Sequence, residues 1–155
     1  MLLSEEHNWK RYPELTNGEM EMLGFLSPHE QITSDFVGTV FKVHDGDTVR
    51  MTCGFRDFDF PLRLAAIDAP ELDTGQRGED ARDYLKGVIE GEEVLILVNR
   101  FDRVDKYGRL LGHIMFAGQD VGEMMIYAGF AQPFEFRREG EITGFDQRMV
   151  REKWF

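Results

Sequence analysis

A chain of 155 residues is long enough for one domain with a buried core and short for two. Hydrophobic residues at 42% and aromatics at 12% exclude a disordered tail, and no run approaches the roughly 20 apolar residues that span a bilayer. A formal charge of −11 excludes a general basic surface for nucleic acid, so any such binding must rest on a local site or a bound cation.

The first seven residues, Met1 to His7, carry neither a basic leader nor an apolar run, and the expectation is a protein kept inside the cell that makes it. Residues 1–34 hold Pro13 and Pro28 and show no sustained period beyond a short helical turn expected over residues 19–26. They read as an extension that packs on the domain at residues 35–155 or docks a protein partner. Charge divides unevenly but never turns basic where it matters: residues 37–136 hold eleven basic and eighteen acidic side chains.

From Asp35 the pattern becomes β-like. Residues 36–43 are β-branched and aromatic and end at Asp45-Gly46, a turn signal; residues 48–52 resume as a strand. Cys53 follows, and a single cysteine excludes an internal disulfide and reads as a small buried apolar side chain. With one Cys and four scattered His, a zinc site is not expected. After a connection at residues 54–57, residues 58–67 form a third strand in which Phe58, Phe60, Leu62 and Leu64 alternate with Asp59, Pro61, Arg63 and Ala65. Arg63 therefore faces away from the apolar set, and Pro61 marks an edge or bulge.

Residues 76–90 read as a helix, with Ala81, Tyr84, Leu85, Val88 and Ile89 on one face and Gly91 ending it. Strands follow at residues 93–101 and 109–116, joined by a charged turn. A second helix presents Val121, Met124, Met125 and Ala128 before Gly129, and a third is expected at about residues 143–154. The order β-β-β-α-β-β-α-α predicts an α+β, mainly β protein: a five-stranded closed barrel with three flanking helices.

Charge concentrates in three short segments at strand ends: Asp45-Gly46-Asp47-Thr48, Arg63 through Glu71, and Asp105-Lys106-Tyr107-Gly108-Arg109. Taken singly, each has a plain structural explanation as a turn, a cap or a solvated hairpin. All three in this order, around five strands, resemble the staphylococcal nuclease (thermonuclease) family. The resemblance rests on Val43-His44-Asp45-Gly46-Asp47-Thr48-Val49, on Leu62-Arg63-Leu64 with Ile67-Asp68-Ala69-Pro70-Glu71, and on Asp105 to Arg109. It extends over about residues 36–136, with the segment 121–131 similar to the helix after that family's barrel.

The resemblance implies an OB-fold barrel and calcium-dependent hydrolysis of DNA or RNA to 3′-phosphate products. It implies calcium held by Asp47, Asp68 and the backbone carbonyl of Ala69, where the prototype has Thr. Oxygen ligands without Cys or His suit that hard cation. Glu71 would act on the attacking water, and Arg63 and Arg109 would clamp the phosphate. Lys106 and Tyr107 would meet a neighbouring phosphate, and Phe134 and Phe136 stand nearest the family's two base-stacking tyrosines once one residue is dropped. The basic loop after Glu71 is shortened to a stretch carrying Asp73, Arg77 and Glu79. The competing expectation is a non-catalytic binding or assembly module in a larger complex, such as a phage particle, with residues 1–34 and the C-terminal helix as docking elements; neither reading expects membrane association.

Overall fold

The computed structural model describes residues 8–134. In chain order the elements are helix α1 (Asn17–Leu23), strands β1 (Phe36–Asp45), β2 (Thr48–Cys53), β3 (Arg56–Leu64) and β4 (Ile67–Asp68), helix α2 (Gln76–Ile89), strands β5 (Glu93–Leu97), β6 (Leu110–Phe116) and β7 (Gln119–Asp120), helix α3 (Val121–Tyr127) and strand β8 (Gln132–Pro133). The helix expected at residues 143–154 lies outside the described residues. No helix among the described residues is long and apolar enough to cross a membrane.

Strands β1, β2, β3, β5 and β6 close into the mainly β five-stranded barrel of the OB type. The sheet runs β3-β2-β1-β5-β6, and a parallel pairing of β3 with β6 joins its two ends. Closure leaves none of these five strands with a wholly open edge. Within β3, Pro61 stands opposite Arg50 on β2, and the pairing with β6 begins only at Leu62. A residue without an N–H is thus placed just before β3 acquires its second neighbour, which agrees with the edge reading.

The barrel interior is filled by Val40, Val49, Met51, Phe60, Leu62, Ile96 and Ile114, all fully buried. Along β1 the buried positions run Phe36, Gly38, Val40 and then Val43, with Phe41 exposed. The register shift between Val40 and Lys42 causes this change of phase: one extra residue swaps the faces that follow. Helix α2 covers β1 with Ala81, Leu85 and Ile89, all fully buried, while Tyr84 and Val88 pack at the rim.

Several element boundaries move. The strand read as 58–67 stops at Leu64, because Ala66 takes a positive φ of 66° and turns the chain before β4. The strand read as 93–101 stops at Leu97; the next amide, of Val98, donates to the Asp35 carboxylate instead of a neighbouring strand. Helix α3 ends at Tyr127, so Ala128 is exposed at its C-cap and not part of the apolar face. Cys53 is half-buried against the core, and burial pushes its thiol up, away from the reactive thiolate. Helix α1 starts earlier than expected, on a capping box in which Thr16 and Glu19 exchange side chain-to-backbone hydrogen bonds.

Residues 8–34 lie on the barrel. Their anchor is Glu14, 2% exposed, whose carboxylate meets Arg56 at 2.6 Å and Arg103 at 2.9 Å and accepts the Ile32 amide at 2.7 Å. Arg103 reaches back to the carbonyls of Ile32 (2.7 Å) and Leu15 (2.8 Å), and burial lowers its guanidinium below the usual arginine range while Glu14 opposes that shift. Arg56 also donates to the Glu30 carbonyl and lies over the rings of Phe58 and Phe60 at 5.0 and 4.7 Å. Its Nε and Nη1 are buried and carry no hydrogen bond among the described residues. Two buried cations are thereby tied to one anion from the extension.

Candidate functional site

Strand register gathers the three charged segments. Thr48 on β2 stands opposite Arg63 on β3, and Arg63 stands opposite Leu111 on β6. These are neighbours across three adjacent strands, so Asp47, Arg63 and the Arg109 that leads into β6 meet at one end of the barrel. The parallel closure of β3 on β6 does this, since Arg63 and Arg109 are far apart in sequence.

Gly46 has a steric duty rather than a conformational one. A Cβ there would stand 2.7 Å from Ala69 Cβ and 2.8 Å from Ala81 Cβ. Such contacts are too short to exist, so only glycine lets the Asp45–Thr48 turn press against both the Asp68 segment and α2. The carboxyl of Asp45 is pushed up to about 6, first by burial and then by the negative charge of Asp47.

Arg63 sits at the centre, 7% exposed. Its Nη2 lies 3.3 Å from Asp47 Oδ2 and 3.2 Å from Asp68 Oδ1. Its Nη1 donates to the carbonyls of Leu64 (2.6 Å) and Ile67 (2.8 Å). The guanidinium is thus the counterion that lets two carboxylates approach in a buried place. The ring of Phe134 lies 4.8 Å from it, and the Phe134 amide donates to the Ala66 carbonyl, so Phe134 is packed on Arg63. Phe136 lies outside the described residues.

Asp47 is fixed further by the Ala69 amide, which donates to its Oδ2 at 2.9 Å, and by the Thr48 hydroxyl at 3.2 Å from its Oδ1. That hydroxyl oxygen accepts from Arg109 Nη1 at 3.2 Å. Thr48 therefore links the Arg63 cluster to Arg109. The link was not expected from sequence, where Thr48 reads as the end of a turn and the start of a strand with no role of its own in the site. Arg109 Nε pairs with Asp105 Oδ2 at 2.8 Å, and the Tyr107 and Arg109 amides both donate to Asp105 Oδ1. Arg109 also lies 5.2 Å from the ring of Tyr107, as does the Lys106 ammonium.

Glu71, Lys106, Tyr107 and Arg109 open on one cleft of about 860 Å³. The Glu71 carboxylate makes no hydrogen bond or ion pair among the described residues, and it points from a 3₁₀ turn (Leu72–Thr74) that it precedes without capping through its side chain. Gly78 on α2 holds that turn close: a Cβ there would fall 2.0 Å from the Glu71 carbonyl oxygen and 2.9 Å from Leu72 Cα. Backbone cannot yield as a flexible side chain does. Gly78→Ala is accordingly expected to displace Glu71 and lower any cleavage rate by about 100-fold, the cost of misplacing a reacting group by about 1 Å. Rates and a calcium-free Tm measured side by side would expose an error, because unchanged rates would mean that Glu71 can move freely.

The donor set fits a hard divalent cation. Asp47 and Asp68 offer carboxylate oxygens within 3.3 Å of one nitrogen, the Ala69 carbonyl belongs to the same segment, and neither sulfur nor imidazole is present. Among the described residues no group of three or more His, Cys, Asp or Glu is assembled, so water and substrate oxygens must complete any coordination shell. A second hollow of about 390 Å³, lined by His113, Asp120, Tyr127 and Pro133 among others, contains none of the candidate residues.

The family model for staphylococcal nuclease homologues matches residues 61–151, more than half of the chain. The chain belongs to that family. The matched range takes in Arg63, Asp68, Ala69, Glu71, Lys106, Tyr107, Arg109 and Phe134 and stops short of Asp47. Among its relatives, an uncharacterized protein of Bacillus anthracis is 28% identical over 98 residues, covering 60% of this chain and 45% of the relative. The endonuclease YncB of Bacillus subtilis is 29% identical over 113 residues, 68% of this chain and 52% of that protein. The SPbeta prophage-derived endonuclease YokF of the same organism is 30% identical over 99 residues, 61% of this chain and 33% of that protein. The chain spans about half the length, or less, of these curated relatives.

Proposed function

We propose that this family member is a calcium-dependent phosphodiesterase that cuts nucleic acid strands to 3′-phosphate and 5′-hydroxyl ends. The observation that carries the reading is the continuous set Arg109–Thr48–Asp47–Arg63–Asp68, joined by hydrogen bonds and reaching, through Arg109, the cleft that the Glu71 carboxylate also lines. Its parts match the needs of phosphodiester hydrolysis: cationic donors for the phosphate oxygens, oxygen ligands for a cation, and a carboxylate with nothing else to do.

In this reading Asp47, Asp68 and the Ala69 carbonyl hold calcium, which supplies charge neutralisation at the phosphate. Arg109 offers Nη2, which has no partner among the described residues, to a phosphate oxygen, and Arg63 supports the same charge from the buried side. Glu71 accepts a proton from the attacking water as its oxygen bonds to phosphorus. The 5′ oxygen leaves and takes up a proton. Lys106 and Tyr107 meet the flanking chain.

The deciding test is digestion of plasmid DNA and of RNA with calcium, beside Glu71→Gln. The expected result is a fall in kcat of about 100- to 10,000-fold, the usual worth of a positioned base, with Tm unchanged because the side chain is exposed and unbonded. Equal rates for both proteins sink the assignment of Glu71. No cleavage by the wild type at any calcium level, with strand binding retained, favours the non-catalytic module instead.

A further inference from the structure

The cleft that holds Glu71 and Arg109 is not made by the barrel alone. Arg11, Tyr12, Thr16 and Glu19, all from the extension, line it together with Lys106, Tyr107 and Gly108. The Tyr12 ring lies directly against the hairpin: a Cβ on Gly108 would stand 2.6 Å from Tyr12 Cδ1, and Gly108 has a φ of +82° that disfavours any other residue. The extension is therefore fitted to the same hairpin that presents Lys106 and Tyr107. Its position is secured by the buried Glu14, Arg56 and Arg103 contacts, so this wall is part of the fold.

The chemistry of the wall is specific. The Arg11 guanidinium lies 5.3 Å from the Tyr12 ring and pairs with no carboxylate among the described residues. Of the acids that line the cleft, three are engaged, Glu14 with Arg56 and Arg103, Glu19 with the Thr16 amide and Asp105 with Arg109, and Glu71 is the one that is not. Across the same cleft, Lys106 and the 61%-exposed Tyr107 repeat the pairing of a cation with an aromatic ring. Cations interleaved with stacking faces are what a single nucleic acid strand requires, phosphate and base in turn. On a chain of net charge −11, Arg11 and Lys106 are the two cations of this cleft that pair with no carboxylate among the described residues, and they are the points at which it can meet a polyanion.

We infer that the N-terminal extension is a strand-binding wall: Arg11 takes a phosphate and Tyr12 shapes the bed for a base, one or more nucleotides away from the bond that is cut. The inference rests on the nucleic acid substrate proposed above and adds a subsite from a segment before the family's matched range, which begins at residue 61.

The test is anisotropy with a fluorescent 12-nucleotide single strand and the full chain, in EDTA so that the strand stays whole. Arg11→Glu is compared with Lys42→Glu, an equal change of charge at an exposed β1 position that does not line the cleft. Arg11→Glu is expected to weaken binding about tenfold at low salt and to flatten the slope of log K against log salt by about 0.7, one phosphate contact for a single strand. Lys42→Glu should stay within about twofold. Equal effects of the two variants would overturn the proposal while leaving the nuclease reading intact. Binding that depends on Arg11 in a protein that never cleaves would retire the hydrolytic reading and keep the wall. No binding by the wild type in EDTA would also overturn the wall and leave the calcium-dependent hydrolytic reading to the digestion test.

Discussion

Arg63→Ala is expected to lower strand cleavage by about 1,000-fold or more, the scale at which an arginine that meets developing phosphate charge contributes. The structure separates two parts of that loss. Arg63 donates to the carbonyls of Leu64 and Ile67 and lies between the carboxylates of Asp47 and Asp68. Its removal takes the guanidinium away from both the buried Asp47 and the part-buried Asp68 carboxylates, and one donor away from each of two carbonyls. The fold should lose about 3–5 kcal/mol on that account, as when one partner is cut from a buried ion pair. Arg63→Lys discriminates between the parts. A single ammonium restores the charge, and with it much of the Tm, but it cannot serve four acceptors and a phosphate at once, so kcat should stay low. Arg63→Ala that is folded by circular dichroism and still cleaves within about tenfold of wild type would end the phosphate-clamp role.

Glu14→Ala is expected to cost as much stability, at a position away from the proposed chemistry. Its carboxylate is 1% exposed and is the shared anion of Arg56 and Arg103, each also 1% exposed at the side chain. Without it, two buried guanidiniums lose their counterion and the Ile32 amide loses its acceptor. A cost of about 3–5 kcal/mol follows, a large share of the roughly 5–15 kcal/mol that holds a domain of this size. The corresponding fall in Tm is about 6–20 °C. Because residues 8–34 are held through this cluster, limited proteolysis of the variant should cut within the extension before the barrel. A Tm within about 2 °C of wild type would show that the extension is anchored by its apolar contacts at Leu15 and Ile32 instead.

The two variants also mark the limits of reading charge from sequence. The resemblance implies the role of Arg63, and the alternation of Phe60, Leu62 and Leu64 adds only that Arg63 lies on the other face. That face proved to be covered as well, by Asp47, Asp68 and Phe134, so Arg63 is buried where solvent or substrate was expected. Glu14 and Arg103 gave no signal. Each stands among residues of no clear period, and a charged side chain in such a stretch ordinarily faces water. Thr16 and Glu19 did carry a signal, the Thr-x-x-Glu spacing of a capping box, which sets the start of α1 at Asn17. Gly46 was read as a turn residue, whereas the structure gives its reason as close approach to Ala69 and Ala81.

What the sequence determined by itself was local. Alternation set the barrel strands, the 3.6-residue period set α2, and the short motifs named which oxygens and which cations could do phosphodiester chemistry, because each of these depends on a few adjacent residues. What only the tertiary structure decided was convergence. The parallel seam of β3 on β6 brings Arg63 near Arg109, the Thr48 hydroxyl joins them through Asp47, and a buried Glu14 turns an unreadable extension into a wall of the cleft. Those contacts link residues tens of positions apart. They depend on barrel closure and on the burial of paired charge, and neither leaves a period in the chain.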